Sequence, residues 1–251
     1  MKDISLWKEK FSITHSLVAP DGLLSMHGLA YCMQESAINH AEAAQAGYED
    51  LIKNNQAWVL TRQMIKLFEV PRLNQKITIE TWAHNRTENL AIRDFNILNK
   101  DNEIMGISRT SWMVLDLHTR RPVRLSFRIQ ENIPLMPGRL IEDLILEKIP
   151  VPELDPETER TYHVVYSDLD MNQHVNNINY LKWVLDDFDY DFRVTLRISS
   201  IEMNYLGEAL YGDTLVRSTI PANDHEYLTT IVNRDSLRPI LASRTKWVSK
   251  E

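Results

Sequence analysis

At 251 residues, with 43% hydrophobic and 25% charged side chains, the chain is long enough for one large core or two ordinary domains, and its composition excludes a disordered or membrane-spanning protein. A formal net charge of −7 argues against general affinity for nucleic acid, and seven glycines with neither GxGxxG nor GxxxxGKS/T argue against a phosphate-cradling loop. One cysteine, Cys32, permits no intrachain disulfide, and the charged N-terminus MKDISLWKEKFSI has no signal-like apolar core, so a cytoplasmic protein with no membrane partner is expected.

The first periodic segment is Leu29 to Ala44, where Leu29, Ala30, Met33, Ala37, Ala41 and Ala44 recur at helical spacing with Glu35 and Glu42 opposite. His40 falls on the apolar side of this helix and Cys32 flanks it; a core histidine satisfied by a neighbour and a small packing residue are the simplest readings. Strand-like runs follow at Trp58–Val70, Lys76–Ala83, Leu90–Asn99 and Ile104–Leu115. In the second run Ile77, Ile79 and Thr81 alternate with Thr78 and Glu80, the pattern of a half-buried strand, and Asp101-Asn102 predicts a tight turn. Arg120, Arg121, Arg124 and Arg128 then form the densest basic cluster. The stretch after it is rich in proline (Pro134, Pro137, Pro150, Pro152, Pro156), which predicts a linker crossing a surface.

From about Glu159 the plan repeats. A short strand at Thr161–Tyr166 leads into DLDMNQHVNNINY, then a helix at Asn179–Asp186, then strand-like runs at Val194–Tyr205, Thr214–Ile220, Tyr227–Asn233 and Ile240–Val248. LFEVPRLNQKITIETW resembles MNYLGEALYGDTLVRST in layout, and SRTSWMV resembles SRTKWVS. Residues 1–130 and 157–251 therefore read as two copies joined by a 131–156 linker. One helix followed by strands, twice, predicts an α+β fold in which each helix buries its apolar face in a curled antiparallel sheet.

Asp168 to Tyr180 carries the densest chemistry. Asp170, Asn172 and His174 alternate, so an extended stretch would point them to one side. Asn176, Asn177 and Asn179 are candidate helix caps, and the backbone N–H groups of Val175 to Asn177 would then lie beside a histidine and a carboxylate. That set can attack a carbonyl and stabilise the resulting oxyanion; the plainer alternative is an Asn-rich turn that only starts a helix. Ahead of the first helix, Ser25-Met26-His27-Gly28 is chemically poorer. No HExxH, CxxC or His/Cys cluster suggests a metal, no GxSxG elbow suggests a serine hydrolase, and no cofactor is implied.

These residues resemble a known family. SDLDMNQHVNN is similar to the NDLDVNQHVNN of acyl-acyl carrier protein thioesterases of the plant FatA/FatB type and their bacterial relatives. MQESAINH (Met33 to His40) is similar to their LQETALNH, and the likeness continues through WVLTR, SRTSWMVLD and TRRPVRL. The resemblance implies a tandem hotdog fold and catalytic roles for Asp170, Asn172 and His174. It matches Glu208, in Tyr205-Leu206-Gly207-Glu208-Ala209, to the glutamate of a YRREC-like segment, and puts Ala209 where the family has cysteine. With no thiolate there, the expectation is water attack on an acyl thioester: Asp170 or Glu208 orients or deprotonates water, His174 assists, and Asn172 holds the carbonyl or the water. Direct attack by Asp170, giving an anhydride, stays open. The first half would hold the acyl chain, with Met33, Ala37 and Ala41 as lining or as ordinary core. Arg120, Arg121, Arg124 and Arg128 would dock an acidic carrier protein, or form a solvated face. An acyl-CoA thioesterase, a non-catalytic acyl-binding hotdog protein and a dehydratase on the same fold are the alternatives; chain length, saturation preference and homodimerisation stay open.

Overall fold

The computed structural model describes residues 4–136, 138–139, 141–142 and 144–250, without the side chains of Phe127 and Arg128. The chain divides into two compact units, Met1–Thr61 with Leu67–Leu146, and Arg62–Lys66 with Glu147–Glu251.

The first unit runs β1 (Trp7–Ser12), α1 (Met26–Ala43), α2 (Tyr48–Ile52), β2 (Gln56–Leu67), β3 (Lys76–Arg86), β4 (Ala91–Leu98), β5 (Ile104–Asp116), β6 (Arg121–Val123) and α3 (Phe127–Asn132). Strands β1, β3, β4 and β5 pair antiparallel in that order, with β6 on the end of β5. Helix α1 begins three residues before the apolar pattern because Ser25 caps it: its Oγ accepts from Gly28 N–H (3.1 Å) and donates to Leu17 O (2.8 Å). A Cβ on Gly28 would stand 2.5 Å from Leu17 O, so only glycine admits this close entry of the chain. Met33 and Ala37 are buried in the core and Ala41 is half-buried.

The alternation of β3 is present, with Ile77, Ile79 and Thr81 buried, but Glu80 on the other face is buried as well. Its carboxylate pairs with Lys8 from β1 and with Arg139, and it accepts from Asn96 Nδ2 at 3.4 Å. Arg139 also lies 4.6 Å over the Trp82 ring. Arg139 of the proline-rich segment thus packs on the Glu80 face of β3. Within this segment Leu144 and Ile149 are buried. In the first unit Arg109 holds Asp94 through two bonds (2.6 and 2.7 Å) and donates to the carbonyls of Leu144 and Ile141. In the second, Asn204 donates to Glu147 O (3.2 Å) and accepts from Ile149 N–H (3.3 Å).

His40 is fully buried. Arg93 donates to its Nδ1 (2.8 Å), its Nε2 donates to Ile4 O (2.7 Å), and the ring stacks on Trp7 at 5.9 Å. Burial, and then the Arg93 charge, lowers its pKa from 6.5 to about 4. The unfolded chain therefore binds a proton near pH 6.5 that the folded chain refuses until about pH 4. The stability from this group is complete above the unfolded value and is lost as pH falls through the window, by about 3 kcal/mol at the full shift. Urea denaturation from pH 7 to pH 4 should show that loss, and His40→Gln should flatten the slope by a similar amount.

The second unit runs β7 (Arg160–His163), α4 (Asn177–Leu185), α5 (Tyr190–Thr195), β8 (Leu196–Tyr205), β9 (Thr214–Asn223), β10 (Glu226–Asn233) and β11 (Pro239–Ser249). Its strands pair antiparallel in the order β8-β11-β10-β9-β7, and Arg62–Lys66 registers against β8. Helix α4 buries Tyr180, Leu181, Trp183, Val184 and Leu185. Val194, expected to open a strand, instead sits in α5. Asp189 caps that helix by accepting from Phe192 N–H (2.8 Å), and Phe192 packs edge-on against Trp247 at 5.0 Å. The repeated SRTxW motif has one meaning in both units: the Trp112 and Trp247 indoles donate to the Thr110 and Thr245 hydroxyls two residues earlier. A helix laid on an antiparallel sheet, twice, is the tandem hotdog arrangement.

Candidate active site

Asp168 anchors the motif from beneath. It is buried, its carboxylate accepts from the Tyr162 hydroxyl (3.1 Å) and Val165 N–H (2.8 Å), and its carbonyl accepts from Asn176 N–H and Asn179 Nδ2, both at 2.9 Å. Beyond it the chain does not run extended. Gln173 N–H donates to Asp170 O (3.0 Å), Gln173 takes a left-handed φ of 64°, and Asp170 N–H donates to His174 O (2.8 Å). Met171-Asn172-Gln173 is the loop of a tight hairpin flanked by the Leu169–Val175 bridge. The two-residue alternation of Asp170, Asn172 and His174 therefore does not place them on one side of a strand. Cross-strand pairing brings Asp170 opposite His174.

Asp170 Oδ1 accepts from Asn172 N–H (2.8 Å) and His174 N–H (3.3 Å), so this carboxylate shapes the loop that carries the other two residues. His174 also bridges to Leu210, and Val175 N–H donates to Ala209 O (3.0 Å). This pairing brings Glu208 alongside: its Oε1 lies 3.9 Å from His174 Nδ1, with both side chains partly open to solvent. Nδ1 of the imidazole thus faces the Glu208 carboxylate.

The expected oxyanion donors are reduced by the fold. Val175 N–H goes to Ala209 O and Asn176 N–H to Asp168 O, which leaves Asn177 N–H at the first helical position. Of the three candidate caps, Asn176 performs the role by accepting from Ile178 N–H (3.0 Å).

The first unit contains the same hairpin without the chemistry. Ala19 N–H donates to Leu23 O (2.8 Å), Gly22 N–H to Ala19 O (2.9 Å), Leu24 N–H to Pro71 O (2.7 Å) and Ser25 N–H to Leu17 O (2.9 Å). Bridges Val18–Leu24 and Leu23–Arg72 match Leu169–Val175 and His174–Leu210, and Gly22 takes the positive φ of Gln173. The counterpart of the motif is therefore Ala19 to Leu23, not Ser25 to Gly28; Ser25 corresponds to the cap Asn176. The Pro20-Asp21-Gly22 turn signature was the available sequence signal. Ala19, Asp21, Leu23 and Val70 stand where the second unit has Asp170, Asn172, His174 and Glu208. A leucine and a valine satisfy this frame, so folding does not demand the imidazole and the Glu208 carboxylate, whereas a loop carboxylate is kept, Asp21 Oδ1 accepting from Leu23 N–H (3.1 Å).

Ala209 is fully buried, so no thiol stands beside His174 at this position. Cys32 lies in the first unit, buried in α1, and burial pushes its thiol up to about 12. Cys32→Ala should keep hydrolysis within twofold, and iodoacetamide should leave the native thiol unmodified while labelling the unfolded chain. Arg120 and Arg121 are exposed, Arg124 pairs with Glu88 (2.8 Å), and the side chain of Arg128 lies outside the described residues. Among the described residues no group of three or more His, Cys, Asp or Glu side chains is placed to hold a metal, and no helix is long and apolar enough to cross a membrane.

Models for the acyl-ACP thioesterase N-terminal and C-terminal domains match residues 5–133 and 152–247. A palmitoyl-acyl carrier protein thioesterase of Gossypium hirsutum is 25% identical over all of this chain, and an oleoyl-acyl carrier protein thioesterase of Coriandrum sativum is 26% identical over 89% of it. The chain spans 65% of the length of each of these curated relatives. A solved acyl-ACP thioesterase from Bacteroides thetaiotaomicron superposes with a TM-score of 0.87 at 28% identity, covering 97% of this chain and 98% of that one. The 12:0-ACP thioesterase of Umbellularia californica, at 21% identity, shares the fold with a TM-score of 0.87 over 100% of this chain and 99% of its own. Both domain models match in order, one on each half of a duplicated hotdog, and the chain belongs to the acyl-ACP thioesterase family.

Proposed function

We propose that this chain hydrolyses the thioester of a fatty acyl group on acyl carrier protein, using water as the nucleophile. The observation that carries the reading is the pairing of His174 with Glu208 on a frame that the first unit builds from Leu23 and Val70. His174 Nε2 takes a proton from water as the water oxygen bonds to the thioester carbon, and Glu208 supports the imidazolium that forms. The carbonyl electrons move onto oxygen, and Asn177 N–H and the Asn172 amide are assigned as its donors; one such donor contributes about 3 kcal/mol in related chemistry. Collapse breaks the C–S bond, and the departing sulfur takes the proton from His174, leaving a free fatty acid and the carrier thiol. Asp170, with Oδ1 accepting two backbone amides, serves this scheme by holding the hairpin rather than by attacking the carbonyl.

The acyl chain is assigned to the first unit, where each buried methylene contributes about 0.8 kcal/mol, or roughly fourfold discrimination per carbon. Carrier docking is assigned to the exposed arginines Arg120, Arg121 and Arg124, together with Arg128. A hydrolysis screen over acyl carrier protein and CoA esters of matched chain lengths tests the reading. Carrier esters should be preferred at least tenfold in kcat/KM, and reversing Arg121 and Arg124 to glutamate should remove that preference while sparing CoA esters. Equal loss on both would end the docking assignment, and no turnover of any acyl thioester would end the hydrolase reading.

A further inference from the structure

We propose that Tyr180 is a positioning residue that holds Glu208 against His174 through the Ala209 amide. Ala209 N–H donates to the Tyr180 hydroxyl at 3.2 Å, and Ala209 O accepts from Val175 N–H at 3.0 Å. The peptide unit joining Glu208 to Ala209 is planar, so anchoring its N–H sets that plane and leaves Glu208 little freedom to turn away from the imidazole. The anchor is itself rigid. Tyr180 is 3% exposed and meets Trp183 edge-on at 5.3 Å and Tyr205 at 6.1 Å. Burial drives its phenol pKa upward, so the hydroxyl stays protonated and neutral at working pH.

The first unit shows the same place built another way. Counting from the matched caps Ser25 and Asn176, Leu29 occupies the position of Tyr180 and is fully buried. Matching Leu24 N–H→Pro71 O with Val175 N–H→Ala209 O puts Pro71 in the position of Ala209 and Val70 in that of Glu208. Proline has no N–H to satisfy, valine has no carboxylate to hold, and Leu29 offers no hydroxyl at the matched position. The hydroxyl, the amide and the carboxylate occur together in one unit and are absent together in the other. A buried amide in the second unit alone could be capped by any acceptor; what distinguishes this one is that its other neighbour is the residue facing His174.

This inference rests on the proposed hydrolysis, and the experiment separates the two. An inactive wild type would sink the hydrolase reading; an active wild type lets Tyr180 be tested by itself. Tyr180→Phe should lower kcat about tenfold with KM changed less than twofold, while Glu208→Val lowers it further. In the Glu208→Val background Tyr180→Phe should cause no added loss, because Tyr180 acts through the missing carboxylate. Additive losses in the two backgrounds, or an unchanged kcat in Tyr180→Phe, would overturn the role. Should Tyr180→Phe melt too early to assay, Tyr180→Phe with Ala209→Pro carries the test, since proline at this place, as Pro71 is in the first unit, leaves no amide unpaired. Recovery of kcat to within threefold of wild type supports the role, and a folded double variant without recovery contradicts it.

Discussion

Replacing His174 with leucine is expected to lower acyl thioester hydrolysis by about a thousandfold, with the melting temperature held within a few degrees of wild type. Leucine is the informative choice because Leu23 occupies this position in the first unit with the hairpin intact. The bonds that define the loop, Asp170 N–H to His174 O and His174 N–H to Asp170 Oδ1, do not use the His174 side chain. Loss of activity therefore reports the imidazole alone. The loss should lie in kcat, since a proton acceptor works mainly in the transition state. A His174→Leu variant that folds and turns over at the wild-type rate would remove the histidine from the mechanism and with it the proposed water attack.

The largest effect on stability is expected from Asp94→Ala. Asp94 is fully buried in the first unit, and both of its oxygens receive the Arg109 guanidinium. Removing the carboxylate leaves a nearly buried cation without its counter-charge, which costs about 3–5 kcal/mol. Arg109 also donates to the carbonyls of Ile141 and Leu144, so a guanidinium that swings toward water releases this segment as well. Urea denaturation and a melting temperature lower by about 10 °C are the expected readouts. Replacing both partners, Asp94→Leu with Arg109→Met, should recover much of the loss, because no isolated charge then remains. Near-wild-type stability of Asp94→Ala alone would show that the pair and its two carbonyl contacts do not hold the first unit together.

Much of the fold is legible in the residues. The predicted runs at Lys76, Leu90, Ile104, Thr214, Tyr227 and Ile240 each fall on an observed strand whose ends differ by a few residues, because period-2 alternation is a property of neighbouring side chains. Both main helices are marked by their apolar stripes, and Asn176 is visible as a cap. β1 escaped notice. WKEKFS alternates, but with lysines and a glutamate dominating, and it is a strand because β3 offers it an edge from Trp7–Thr81 to Ser12–Lys76. α5 took Val194 from a strand for a similar reason, since Asp189 and the Phe192–Trp247 contact stabilise one short turn of helix there.

The site divides along the same line. The candidate groups were written in the string: one acid, two amides and one imidazole within five residues, and a glutamate 34 positions beyond the histidine. How they meet was not. The alternation of Asp170, Asn172 and His174 predicted an extended stretch, whereas a left-handed Gln173 reverses the chain; two of three expected oxyanion donors bond to Ala209 and Asp168 instead. Residue types and their short-range spacing determine local conformation and the available functional groups, because those depend on neighbours in the chain. The 3.9 Å approach of Glu208 to His174, the choice of which amides stay unbonded, and the burial of Tyr180 beneath Ala209 depend on segments far apart in sequence, and only tertiary packing decides which of their polar groups find each other.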